Sequence, residues 1–149
     1  MINLPEDVRT AIDTALAEDA YYPCVWTTVD ETGQPSSSFF GTTQVLSDHE
    51  VAIWMRTPSR GFLARIAKNP KCSMLYRNHE TKFGFQIHGE ARLVEDAATA
   101  RRVYDKSPEV ERNADPDRQG VAVIVDVVRL IQRGQVVQAR DAEVGARVD

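Results

Sequence analysis

The spacing of hydrophobic residues along the chain changes between the period of a strand and the period of a helix. In the segment Val51–Arg56, every second residue is a branched or long apolar side chain, which predicts a half-buried strand. The segment Phe83–Leu93 alternates in the same way, with its odd-numbered residues on one face and its even-numbered residues on the other. Gly120–Val128 is apolar at almost every position, and we predict a strand that is covered on both faces.

Three other segments have the signals of helices. The first is predicted over Pro5–Ala17, within an N-terminal helical region of residues 1–20, because a proline and two acidic residues precede an apolar stripe. A second helix follows Ser59, which is a good N-cap, and it ends at Asn69-Pro70. Asp96 opens a third helix.

Short turns connect the remaining apolar segments. Further strands are predicted over Cys24–Asp30, Pro35–Thr43, Lys71–Arg77 and Gln135–Gln138. Six or seven mostly antiparallel strands with few helices indicate a mainly β protein, a small barrel formed by residues 1–149 as one domain. The polar residues 141–149 are predicted to be a frayed tail.

Composition and charge limit the core, the partners and the location that we expect for this barrel. The 42% hydrophobic content is ordinary for a globular domain, and 149 residues are enough to bury a core without metals or disulfides. Cys24 and Cys72 lie in apolar strand patterns, so we expect reduced core thiols. A net charge of −4 gives no general attraction to nucleic acid. Without a membrane-spanning run or a signal-peptide pattern, we expect no membrane partner and a cytoplasmic location.

The turn between the strand Val51–Arg56 and the next helix concentrates groups that bind anions. Arg56, Thr57, Ser59 and Arg60 surround the predicted helix N-terminus, where free backbone N–H groups also point outward. This combination favours a bound phosphate. The alternative is that the two arginines are surface cations that only solvate a helix end.

Several of these segments occur in an order that is found in a known family. They are Gly33-Gln34-Pro35, Val51–Arg56, Thr57-Pro58-Ser59-Arg60, Asn69-Pro70 and Ile87-His88-Gly89-Glu90-Ala91. With this order the chain resembles the pyridoxamine 5′-phosphate oxidase-like family of FMN-binding split barrels over roughly residues 5–140. The resemblance implies a six-stranded antiparallel Greek-key split barrel. It also implies a homodimer with two FMN sites in the subunit interface.

The resemblance also implies which residues hold the cofactor. Ser59 and Arg60 match the family's S-R pair after the third strand, and Arg56 and Thr57 match the end of that strand. We add Trp54, Met55 and Gln86 as expected cofactor contacts.

The chain departs from the true oxidases in three features. The family's lysine after S-R is Gly61 in this chain, or Phe62 if the helix is matched backward from Asn69-Pro70. The oxidases' basic strand is Ser38-Phe39-Phe40-Gly41, which has no cation, and their C-terminal tryptophan-and-arginine motif is missing. We therefore do not expect pyridoxamine 5′-phosphate oxidase activity.

Other motifs offer no competing chemistry. His88-Gly89-Glu90 has the H-x-E form of zinc deaminases but lacks their later P-C-x-x-C, so we interpret it as a polar barrel or interface position and expect no metal site. Trp26 and Trp54 are interpreted as core or interface residues, with stacking on a flavin as the less favoured alternative. No catalytic side chain is identified.

The resulting hypothesis is an FMN-dependent oxidoreductase that acts as a homodimer on an unidentified small-molecule substrate. Two alternatives remain. The first is a reductase that uses the related deazaflavin coenzyme. The second is a non-catalytic barrel that binds flavin, haem or another planar ligand as a store or sensor.

Overall fold

The computed structural model describes residues 1–17, 19–58, 61–141 and 143–148, and four helices and eight strands lie in those ranges. The helices are α1 (Glu6–Asp13), α2 (Gly61–Lys68), α3 (Ala97–Lys106) and α4 (Glu109–Asn113). The strands are β1 (Val25–Val29), β2 (Pro35–Phe39), β3 (Gln44–Val45), β4 (Glu50–Met55), β5 (Lys71–Arg77), β6 (Gly84–Leu93), β7 (Val121–Gln132) and β8 (Gln135–Ala139).

All strand pairs are antiparallel and form one curled sheet. Its order is β2-β1-β5-β6-β7-β4-β3, and β8 pairs with the end of β7. This half-barrel with flanking helices confirms the predicted mainly β split barrel. The strand count of eight in the described ranges corrects the expected six. One reason is that β2 ends at Phe39, before the predicted end at Thr43, because the Thr43 hydroxyl donates to Phe40 O at 2.7 Å and closes a turn there. The next two residues, Gln44–Val45, then form the separate strand β3, which was not predicted.

The barrel interior is filled by the inward face of each strand. On β6 the predicted alternation is confirmed, since Phe85, Ile87, Gly89 and Ala91 are all buried. Gly89 lies at a bulge opposite β7, where an added Cβ would be 2.5 Å from Val125 Cγ1. The close approach of the two strands at this point therefore requires a glycine.

The prediction that the Val51–Arg56 segment is half-buried was wrong. β4 is buried on both faces, because its alternate residues enter two separate hydrophobic clusters. Val51, Ile53 and Met55 face the barrel, whereas Ala52 and Trp54 lie under α3. β7 is covered in the same way over residues 122–125, as its continuous apolar run predicted.

The N-terminal helix is shorter than the predicted Pro5–Ala17. α1 begins after Pro5, which is its N-cap rather than its first helical residue, and it ends at Asp13. The Asp13 carboxylate accepts a hydrogen bond from Val45 N at 2.8 Å, which ties the helix end to β3. α3 begins as predicted, because Asp96 Oδ2 accepts from Thr99 N at 2.9 Å.

The C-terminal residues predicted to fray make backbone hydrogen bonds to the last hairpin. Val136 N donates to Ala146 O at 2.9 Å, and Val148 N donates to Gly134 O at 3.0 Å. The hairpin itself turns through Arg133 and Gly134, both with positive φ, as a two-residue turn of the right twist requires.

Both cysteines are buried and unpaired, in agreement with the expectation of reduced core thiols. Burial raises the pKa of Cys24 and of Cys72 to about 12, so both thiols are protonated near neutral pH. None of the helices in the described ranges is both long enough and apolar enough to cross a membrane.

Candidate functional site

A cleft of about 430 Å³ opens where β4 ends and α2 begins. Four segments supply its walls: the end of β2 with the following turn, the end of β4, the first turns of α2, and α4. The lining residues are Ser38, Phe39, Phe40, Gly41, Thr42, Trp54, Met55, Arg56, Thr57, Gly61, Phe62, Arg65 and Glu111. The residues that stand where the true oxidases have cations therefore line this cleft: Ser38, Phe39, Phe40, Gly41, Gly61 and Phe62.

One end of the cleft carries an ion pair that the sequence did not indicate. Arg56 leaves β4 into the cleft, and its Nε lies 2.9 Å from Glu111 Oε2 on α4. Glu111 is pressed against the turn after β2, where a Cβ added to Gly41 would be 2.8 Å from Glu111 Oε1. The carboxylate therefore offsets much of the Arg56 charge.

A second cation lines the cleft from α2. Arg65 Nε donates to Thr28 Oγ1 at 2.6 Å, and Thr28 is fully buried in β1. The guanidinium extends back over the start of α2, since an added Cβ at Gly61 would be 2.6 Å from Arg65 Nη1. The two arginines and Glu111 leave one net positive charge among the described lining residues.

The opposite wall of the cleft is apolar. Phe40 and Phe62 meet edge to face, with ring centroids 5.2 Å apart and an interplanar angle of 83°. Phe62 is buried, Phe40 is half-buried, and Phe39 at the rim is 65% exposed. The cleft thus combines an apolar aromatic wall with a cationic region, which suits a ligand that has an apolar ring system and an anionic group.

The side chain of Trp54 is held away from the cleft. Its ring packs edge to face on Tyr104 at 5.1 Å, and its Nε1 donates to Asp115 Oδ2 at 2.9 Å. The side chain of Met55 is also buried, in the barrel core. Trp54 and Met55, two of the predicted cofactor contacts, border the cleft, but their side chains are almost fully buried. Stacking of the Trp54 indole on a flavin therefore has no geometric support.

The structure brings some of the predicted site residues together and separates another. Arg56 and Thr57 are exposed in the cleft beside Trp54 and Met55. Gln86 lies on the outward face of β6, where its Oε1 is 3.0 Å from His88 Nε2. Ser59 and Arg60 lie outside the described residues.

Sequence reasoning missed Arg65 and Glu111. Arg65 had a usable signal, because it is four residues after Gly61 and therefore on the same side of α2. Glu111 had none, because only the packing of α4 brings it next to Arg56.

A second groove lies on the outward face of the sheet, around His88. Arg129 on β7 makes two hydrogen bonds to Asp141, at 2.8 and 2.9 Å, beside the imidazole. Burial, and then the charge of Arg129, lower the pKa of His88 below its usual range. No cluster of three or more His, Cys, Asp or Glu side chains suited to a metal ion occurs in the part of the chain that the structure describes.

Comparison with known proteins gives one family. The family model for pyridoxamine 5′-phosphate oxidase matches residues 11–132 of this chain. No curated protein matches it.

Solved structures share the fold at low sequence identity. A candidate pyridoxamine 5′-phosphate oxidase from Lactobacillus delbrueckii has a TM-score of 0.67 at 15% identity, over 87% of this chain and 94% of that one. A protein named F420 reductase has a TM-score of 0.62 at 17% identity, over 85% and 98% of the two chains. An FMN-binding protein from Syntrophomonas wolfei has a TM-score of 0.60 at 11% identity, over 83% and 82%. At such identities these likenesses show the fold alone.

The carboxylate that holds Trp54 gives a prediction about stability and pH. Burial of Asp115 disfavours its charged form, but hydrogen bonds from Gln119 N, Gly120 N and Trp54 Nε1, with the charge of Arg56, lower its pKa below the usual range. A depressed folded-state pKa contributes stability that is complete above the unfolded pKa and is lost as pH falls through the folded value.

We expect Asp115→Asn to lower the free energy of unfolding by about 1–3 kcal/mol at pH 7, because the amide nitrogen would replace one carboxylate oxygen and face an N–H donor that now bonds to it. The difference from the native chain should shrink as the pH falls from about 4 towards 2. Urea unfolding at several pH values measures it. Asp117→Asn, on an exposed residue of the same loop, is the matched control. A difference that stays constant with pH would contradict the assigned role of the carboxylate.

Proposed function

The chain belongs to the pyridoxamine 5′-phosphate oxidase family, and we propose that it binds FMN in the cleft between β4 and α2 and acts as an oxidoreductase on a small molecule. The observation that carries the proposal is a cleft that combines one net positive charge, from Arg56, Arg65 and Glu111, with the aromatic wall of Phe40 and Phe62. A phosphate suits the first and a flat ring system suits the second. The family match and the FMN-binding neighbour support the same reading.

In this proposal each segment has a separate task. Arg56 and Thr57, with Ser59 and Arg60 of the same turn, hold the phosphate. Phe40 and Phe62 exclude water from one side of the ring. Bound FMN supplies the electron chemistry, and the protein supplies binding and orientation.

We further propose that the protein is a homodimer whose interface lies on the outward face of β2, β1, β5 and β6. Phe39, Val25, Leu75 and Gln86 are register partners across these strands, and Phe39 and Leu75 are 65% and 55% exposed. This row begins at the cleft rim, so a second copy seated on it would border the cleft. In the proposed dimer Gln86 contacts the FMN of the other copy, and this is the cofactor role that we propose for it.

A deazaflavin-dependent reductase is the second candidate. A solved structure with this fold is named F420 reductase, and the aromatic wall would accept either ring system. Equilibrium titration of the purified protein with FMN and with the deazaflavin coenzyme separates the two. A flavin-loaded protein that shows no turnover with NADH, NADPH and a panel of acceptors would instead identify a non-catalytic store or sensor.

The phosphate placement predicts that Arg60→Ala and Arg56→Ala each weaken FMN binding. A charge-assisted phosphate contact is worth roughly 1.5–3 kcal/mol, which corresponds to about a ten-fold to hundred-fold rise in Kd. The Arg56 variant should lie at the lower end, because Glu111 already offsets that charge. Arg101→Ala, on an exposed arginine of α3, is the control. If both variants bind FMN as tightly as the native protein does, the phosphate is not held at this turn.

The proposed interface predicts a dimer at micromolar concentration, measured by sedimentation with FMN present. A charge in the exposed apolar row should disrupt it, so Leu75→Arg should sediment as a monomer and bind FMN more weakly. Val110→Arg places the same charge on an exposed valine of α4 and should remain dimeric. A native protein that is monomeric with flavin bound would exclude this assembly.

The cleft composition predicts no turnover of pyridoxamine 5′-phosphate or pyridoxine 5′-phosphate. Ser38, Phe39, Phe40 and Gly61 occupy positions where the oxidases have cations, so a phosphorylated substrate has little to bind beyond the FMN. Oxygen uptake by the FMN-saturated protein with each vitamer tests this. Rapid formation of pyridoxal 5′-phosphate would show that the missing cations are not needed.

A further inference from the structure

Arg65 differs from the other described cation of the cleft in what it binds. Arg56 is paired with Glu111, whereas Arg65 pairs with no carboxylate among residues 1–17, 19–58, 61–141 and 143–148. Its side chain donates one hydrogen bond, from Nε to the neutral hydroxyl of Thr28, at 2.6 Å. The charge of Arg65 also helps to lower the pKa of Asp30, but this longer-range interaction offsets the half-buried guanidinium less than a direct ion pair would.

The hydrogen bond to Thr28 also fixes the direction of the guanidinium. Thr28 is 0% exposed in β1, so its hydroxyl is a rigid anchor behind the cleft wall. With Nε bonded to Thr28, the donors of Nη1 and Nη2 remain for a ligand. Two parallel N–H donors from one guanidinium match two oxygens of a phosphate.

Gly61 provides the space in which this guanidinium lies. An added Cβ would be 2.6 Å from Arg65 Nη1 and 3.7 Å from Arg65 Cζ. Any other residue at position 61 would displace the guanidinium from its present place. Gly61 and Arg65 are thus one unit, four residues apart on α2.

We propose that Arg65, positioned by Thr28 and admitted by Gly61, binds the phosphate of the ligand and makes the cleft prefer FMN to unphosphorylated riboflavin. The inference rests on the proposed function and adds the residue that sets its ligand preference. The guanidinium gains a directly bonded partner of opposite charge when the ligand carries an anionic group. Riboflavin has the same ring system but lacks that group.

The test compares the dissociation constants of FMN and riboflavin, measured by flavin fluorescence, in the native protein and four variants. Arg65→Ala should raise the Kd of FMN about ten-fold to hundred-fold and leave that of riboflavin within about three-fold. Arg65→Lys should retain only part of the preference, because a lysine has no Nε to bond Thr28. Thr28→Val keeps the volume of the anchor without its acceptor and should lower the preference several-fold.

The Gly61→Ala variant tests the geometry rather than the charge. It should weaken FMN binding in the native background by displacing the guanidinium, and it should have little further effect in an Arg65→Ala background. Thermal unfolding of each variant identifies any that have lost the fold. Arg101→Ala is the control for loss of a cation elsewhere.

The outcomes separate this inference from the proposed function. If the native protein binds FMN and Arg65→Ala keeps the preference over riboflavin, the assignment of Arg65 is wrong and the FMN site stands. If Arg65→Ala weakens both ligands equally, Arg65 supports the cleft wall and does not contact phosphate. If the native protein binds neither flavin, the proposed function fails, and this inference fails with it.

Discussion

The location of the cleft depends on the burial of both faces of the β4–β7 pair. Alternate residues of β4 enter the barrel and the cluster under α3, so a slip of one residue would exchange the occupants of two cores at once. Trp54 cannot occupy the place of Ile53 or Met55, because each cluster is packed to its own shape. The register of β4 is therefore strongly specified. The residue at which β4 leaves the sheet, Arg56, is fixed together with it.

Around that fixed point, two helices deliver opposite charges to one cavity. α2 contributes Arg65 to the cleft lining, and α4 contributes Glu111, which pairs with Arg56. Asp115, which follows α4, bonds Trp54 and so ties the position of α4 to the same strand. The electrostatics of the cleft are thus set by two helices with different supports. α2 is bonded to β1 through Arg65 and Thr28, whereas α4 is tied to the end of β4 through Glu111 and Asp115.

Residues whose environment is local were predictable, and residues whose environment is assembled by distant segments were not. β5 matches its predicted bounds, and β6 matches to one residue, because alternation within a strand reports directly on its two faces. The same rule failed on β4, because α3 covers the face that an isolated antiparallel strand would expose to water. The aromatic wall followed from the residues that replace the oxidases' cations, whereas the Arg56–Glu111 pair joins positions 55 residues apart and left no pattern in the sequence. The fold class was predictable from periodicity. Of the charged residues that line the cleft, Arg56 was predicted, whereas Arg65 and Glu111 were not.

The outer position of α4 has an evolutionary consequence. Glu111 enters the cleft from a five-residue helix with no buried residue of its own, so substitutions in that helix leave the barrel core intact. A single substitution at Glu111 can thereby raise the net charge of the pocket by one unit while the barrel core stays the same. A lineage that exchanged this one acid for a neutral or basic residue would inherit the same barrel with a more strongly positive pocket. Ligand choice in such a protein can diversify faster than its fold.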